Sequence, residues 1–151
     1  VPRSLRKTRV PRLMIQPIVE NSVRHALEPK VSGGFISIKA QKRKEGLVLW
    51  FLDNGIGMSK DRLADVRAKI AASLQVQSFD QINLPQVAEI PFSEENDVNE
   101  EELLEGRSIG LANIATRFGI LYGDSCRFEI NSRKEKGTLV RITLPLGEKV
   151  G

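Results

Sequence analysis

The sequence predicts an α+β domain, a two-layer sandwich with helices on one face of a mixed, mostly antiparallel sheet. Three observations lead there. Apolar residues recur at helical spacing in three stretches, 11–27, 63–74 and 110–122. Four short runs read as strands, 35–41, 47–52, 126–131 and 138–144, in two pairs joined at Glu45-Gly46 and Lys136-Gly137. The chain of 151 residues suits one domain with a real core, so these elements share it.

The chain opens on a basic segment with Arg3, Arg6, Lys7, Arg9 and Arg12, expected as an edge strand or extended arm. Pro11 suits a first helical turn, and the helix that follows is ended by Pro29 and Ser32-Gly33-Gly34. At about 100° per residue, Pro17, Asn21, Arg24, His25 and Glu28 share one face. Ile15, Val19, Ser22, Val23, Ala26 and Leu27 lie opposite and are expected against the sheet. An amide oxygen suits Mg²⁺, and a cation three residues on suits phosphate. Taken alone, a plain amphipathic helix explains this segment better.

In the first strand pair, Ile36, Ile38 and Ala40 alternate on one face, and Leu47-Val48-Leu49-Trp50-Phe51-Leu52 is a buried run. Asp53-Asn54-Gly55-Ile56-Gly57-Met58 follows directly. A carboxylate at a strand end can accept from an exocyclic amine while bare glycine backbone admits a planar ring. An ordinary turn is the plainer explanation.

Ser59 predicts an N-cap, with Leu63, Val66, Ile70 and Leu74 following at helical spacing. Periodicity is then lost over 75–105, a stretch with Pro85, Pro91 and seven acids between 94 and 105. Such a span is expected as a lid or insertion, and its acids as a solvated face. Gly106-Arg107-Ser108-Ile109-Gly110-Leu111-Ala112-Asn113 then leads into a helix from 110, so its small residues can offer N–H groups to phosphate. It is neither a P-loop nor a dinucleotide fingerprint. The final strand carries Gly137-Thr138.

Other classes are excluded or disfavoured. The net charge of +4 is segregated into blocks, without aromatic interleaving or a nucleic-acid motif, so no nucleic-acid partner is expected. No apolar run spans a bilayer, and no signal peptide is expected at Val1-Pro2-Arg3-Ser4. The lone Cys126 offers no disulfide or zinc site and points to a cytoplasmic setting.

The order of these motifs resembles the asparagine box and three glycine boxes of the GHKL ATPase/kinase superfamily. Gln16-Pro17-x-Val19-Glu20-Asn21-x-x-x-His25 and Gly110-Leu111-x-Asn113-Ile114-x-x-Arg117-Phe118 are similar to the LytS/YesM-type sensor histidine kinases. The likeness covers most of the chain outside about 59–105. It implies a Bergerat-type fold over 1–151, with 59–105 as an enlarged ATP lid. It also implies ATP and Mg²⁺ as ligands.

By this resemblance Asn21 would hold the Mg²⁺, Arg24 would contact phosphate and His25 would pack on the nucleoside. Asp53 would take the adenine amino group, with Gly55, Gly57 and Met58 beside the ring and Thr138 supporting Asp53. Ser108, Gly110 and Leu111 would lie at the phosphates, although Ser108 stands where the family usually has glycine. Pro17 stands where hydrolytic members often carry a glutamate, so slow hydrolysis is expected and Glu20 is assigned a structural pairing. No catalytic residue is expected here, because the acceptor histidine would lie upstream, on a dimerisation domain. The resemblance further implies a response regulator partner and a homodimeric, membrane-anchored parent. Competing readings are another GHKL module, serine kinase or ATP-gated clamp, and a nucleotide-free interaction domain.

Overall fold

The computed structural model describes residues 15–27, 33–76 and 100–145, without the side chains of His25 and 100–104. The expected N-terminal arm and residues 77–99 of the expected lid lie outside these residues. The elements are α1 (Ile15–Ser22), a π-helical turn (Val23–Leu27), β1 (Ile36–Arg43), β2 (Gly46–Asp53), α2 (Lys60–Leu74), α3 (Glu100–Tyr122), β3 (Arg127–Arg133) and β4 (Gly137–Leu144). The strands form one sheet in the order β1-β2-β4-β3, and every pair is antiparallel.

Register decides which side chains face the helices. Leu49 pairs with Ala40 and Ile142, Phe51 with Ile38 and Val140, and Ile130 with Val140. Directly paired residues share a face, so this side of the sheet is apolar along its length. It packs with Ile18 of α1, Leu63, Val66 and Ile70 of α2, and Leu111, Ile114, Ala115 and Phe118 of α3 into one core. Asp53 and Thr138 end the same face and are paired with each other. The α+β sandwich expected from the sequence is thus the fold observed. No helix among the described residues is long and apolar enough to cross a membrane.

Ser59 caps α2 as expected, its hydroxyl accepting from the Arg62 N–H at 3.2 Å. Within the 59–105 span expected as a lid, α2 is therefore a core helix. Two further expectations are corrected. The last helix does not begin at Gly110. Among the described residues it reaches back ten residues further, to Glu100, and 106–109 are helical rather than a loop. Glu and Leu are strong helix formers, so residues 100–105 of the acidic run lie in this helix rather than in a loop.

The buried face of α1 is also rotated from the expected one. Ser22 and Ala26 are buried as expected, but Ile18 and Asn21 are buried too, while Ile15 and Val23 are exposed. Asn21 therefore faces inward, toward α3. Beyond Ser22 the π-helical turn changes the angular step, and residues 23–27 leave the 100° phasing.

Candidate functional site

Asp53 is the best-held polar group of the fold. It is 2% exposed. One oxygen, Oδ1, accepts from the Gly55 N–H at 3.1 Å and the Thr138 N–H at 3.2 Å. The other, Oδ2, accepts from Arg107 Nη2 at 2.7 Å. Thr138 supports Asp53 from the neighbouring strand, as expected, but through its backbone. Its hydroxyl lies 2.8 Å from that of Ser132.

Arg107 was missed by the sequence reading. Its side chain is 1% exposed and pairs with Asp53. Its Nε and Nη1 have no hydrogen-bond partner among the described residues. Burial pushes the guanidinium pKa down, and the Asp53 carboxylate opposes that shift. The one available sequence signal was a long cation set among the small residues of the 106–110 segment.

The glycines after β2 have structural tasks. A Cβ on Gly55 would overlap Ala26, whose carbonyl accepts from the Ile56 N–H at 3.1 Å. Gly57 has φ +65° and lies against the Arg133 carbonyl at the β3–β4 turn. A side chain there would be strained as well as blocked. Bare backbone is thus used to lock the loop between the π-helical turn and the hairpin. Met58 points into the core rather than outward.

Asn21 is 7% exposed, and its Nδ2 has no partner. Its side chain lies against Gly110, where a Cβ would overlap its Oδ1. Arg107 and Gly110 are three residues apart on α3 and so occupy one helix face. That single turn of α3 touches Asp53 on one side and Asn21 on the other. Asn21, Arg24, Gly106, Gly110 and Arg117 line a cleft of about 530 Å³. Asp53 does not line it. Gly110 and Leu111 lie inside α3, so their N–H groups are not at a helix start as the sequence suggested. Ser108 is fully buried with its hydroxyl unpartnered, and Leu111 is a core residue. The side chain of His25 lies outside the described structure.

Glu20 makes the structural pairing expected of it, accepting from Gln16 Nε2 at 2.6 Å. Glu105 departs from the solvated role assigned to the acidic run. It pairs with Arg62 and Lys69 of α2 and so ties α3 to α2.

Residues 7–148 match the family model described as "Histidine kinase-, DNA gyrase B-, and HSP90-like ATPase". The chain belongs to this family.

Among curated relatives, Sensor histidine kinase YesM of Bacillus subtilis is 29% identical over 93% of this chain and 18% of its own length. An uncharacterized sensor-like histidine kinase of Staphylococcus epidermidis is 31% identical, over 89% of this chain and 20% of its own. Sensor protein kinase HptS of Staphylococcus aureus is 27% identical over the same shares. The chain spans about a fifth of the length of these relatives. A solved histidine kinase domain from Erythrobacter litoralis aligns over 88% of this chain at 16% identity, with a TM-score of 0.44. As a histidine kinase-like ATPase domain, the chain is of the ATP-binding kind found in sensor kinases.

The residues present fit a nucleotide. A buried carboxylate with a strand-end position can receive an amine, and the unpartnered groups of Asn21, Arg107 and Ser108 lie along the same helix turn. No cluster of three metal-ligating side chains exists among the described residues. One amide oxygen is compatible with Mg²⁺, which keeps several waters and takes its other ligands from phosphates.

Proposed function

We propose that this domain binds Mg-ATP and presents its γ-phosphate to a histidine on a dimerisation domain elsewhere in a sensor histidine kinase. The observation that carries the reading is the shared turn of α3. Asp53 and Asn21, on different elements, both meet it, so base and phosphate contacts would converge on one place. In this reading Asp53 takes the adenine amino group, with Gly55, Gly57, Met58 and Thr138 shaping its surroundings. Asn21 holds Mg²⁺ at the phosphates, and Arg24 and the 108–111 segment lie beside them. His25 packs on the nucleoside.

The domain contributes positioning and charge neutralisation, which is most of what a protein supplies to phosphoryl transfer. The acceptor imidazole attacks phosphorus, the bond to the ADP oxygen breaks, and ADP leaves. A response regulator would then take the phosphoryl group. The parent would be a membrane-anchored homodimer with this domain on the cytoplasmic side.

Titration calorimetry with Mg-ATP tests the reading. The wild-type chain binds, and Asp53→Asn, which keeps shape but loses the acceptor charge, binds far more weakly. Equal binding by the two proteins would remove the assignment of Asp53. Transfer is tested on the longer parent, where acid-labile, base-stable phosphate on histidine is expected.

A further inference from the structure

Arg107 is paired, but incompletely. Its guanidinium sits on Asp53 Oδ2 with one nitrogen, and the other two nitrogens have no partner among the described residues although the side chain is 1% exposed. A buried donor without an acceptor is unfavourable. A guanidinium is also a planar N–H donor, the same chemistry that an adenine amino group would bring to the same oxygen. The arginine therefore stands in for a ligand and makes fewer bonds than it could.

The segment that carries Arg107 is continuous helix, with Gly106 and Gly110 inside α3. Glycine is the weakest helix former after proline, so Gly106 and Gly110 weaken the helix on either side of Arg107. Tertiary contacts hold it: Arg107 on Asp53, and Glu105 on Lys69 and Arg62 of α2. Gly110 also rests directly on Asn21, so the helix covers both presumed ends of the nucleotide site at once.

We propose that Arg107 is an autoinhibitory plug, an internal occupant of the base pocket that nucleotide must displace by unwinding α3 from its start to about Gly110. The proposal rests on Asp53 being the base contact. The unwinding does two things together. It withdraws the guanidinium from Asp53, and it frees N–H groups near Gly110 and Leu111 that are spent within the helix in the closed form. Binding is then reduced by the fraction of molecules that are closed, and anything that destabilises this end of α3 raises affinity.

The test is the equilibrium affinity of the whole chain for Mg-ATP and Mg-ADP, with circular dichroism confirming fold. The proteins are wild type, Arg107→Ala, Glu105→Ala and Asp53→Asn. Glu105 faces α2, outside the nucleotide contacts, so its variant loosens the segment without altering the pocket. Arg107→Ala and Glu105→Ala should both bind more tightly, the former by about tenfold if one molecule in ten is open, and Asp53→Asn should lose binding. Unchanged affinity in both alanine variants, with Asp53→Asn still defective, would overturn the plug and leave the nucleotide reading intact. Weaker binding by Arg107→Ala would also overturn it, by making the arginine a nucleotide ligand. Absence of binding in every protein would overturn the reading of Asp53 itself. Should Arg107→Ala not fold, Glu105→Ala decides alone.

Discussion

Asn21 and Gly110 are in contact across α1 and α3, and the contact is possible only because position 110 has no side chain. Gly110→Ala would gain helix propensity, about 1 kcal/mol, but its methyl would overlap the Asn21 amide. The amide is the tip of its side chain and can rotate, so the two effects nearly cancel in stability. The rotation removes the Asn21 oxygen from its place, so Mg-ATP affinity should fall by about tenfold or more, the weight of one good polar contact. Urea denaturation and calorimetry on the same variant measure the two effects separately.

Nucleotide selectivity follows from Asp53. Guanine carries a carbonyl where adenine carries an amine. Two acceptors would then face each other in a site where Asp53 is 2% exposed. The mismatch should cost roughly 1–3 kcal/mol, or about ten- to a hundredfold in affinity. Competition of ATP and GTP for a fluorescent nucleotide measures it. Equal displacement by both would show that the carboxylate does not meet the base.

Much of this was legible in the sequence, for definite reasons. Alternation in Ile36, Ile38 and Ala40, and Gly at 46 and 137, specified two hairpins whose register delivers Asp53 beside Thr138. Ser59 announced α2 through local cap chemistry. Arg107 was not legible, because its burial depends on a partner 54 residues away. The helical residues before Gly110 were missed because Glu100-Glu101-Glu102 suits both a solvated run and a helix. The burial of Asn21 was missed because the seam with α3 selects a different face of α1 from that suggested by apolar residues alone.

Gly137 is tightly constrained at the site's base. It has φ +99°, and a Cβ there would meet the backbone of Asp53 and Asn54. Neither group is a flexible tip that could move aside. Gly137→Ala should therefore lose about 2–4 kcal/mol, from backbone strain plus overpacking. Thermal denaturation would show it. Gly33→Ala is the control, because nothing lies within 4 Å of a Cβ at that position.

Cys126 offers a probe of opening at the other end of α3. It is buried in the core cluster, and burial pushes its thiol pKa up to about 12. Thiolate is the reactive form, so the native protein should react with a disulfide reagent at pH 8 only through unfolding. Urea should accelerate modification in step with loss of helix. Rapid labelling of the native protein would contradict the packing of Cys126 against the core.

Glu105 titration reports the tie between α2 and α3. Its carboxyl pKa is held below the ordinary glutamate value, first by the hydrogen bond from Lys69 and then by that from Arg62, against a smaller opposing effect of burial. A depressed folded pKa means the carboxylate stabilises the fold above its unfolded pKa. That contribution is lost as pH falls through the folded value. Glu105 is 45% exposed, so solvent screening leaves the pair worth only about 0–1 kcal/mol. Side-chain NMR of Glu105 should show a midpoint below the ordinary carboxylate range, near 4.3. Lys69→Met should raise it more than Arg62→Met, because the Lys69 bond is the larger cause. A midpoint unmoved by either substitution would show that Glu105 does not hold α3 to α2, and that the start of α3 is fastened by Arg107 and Asp53 instead.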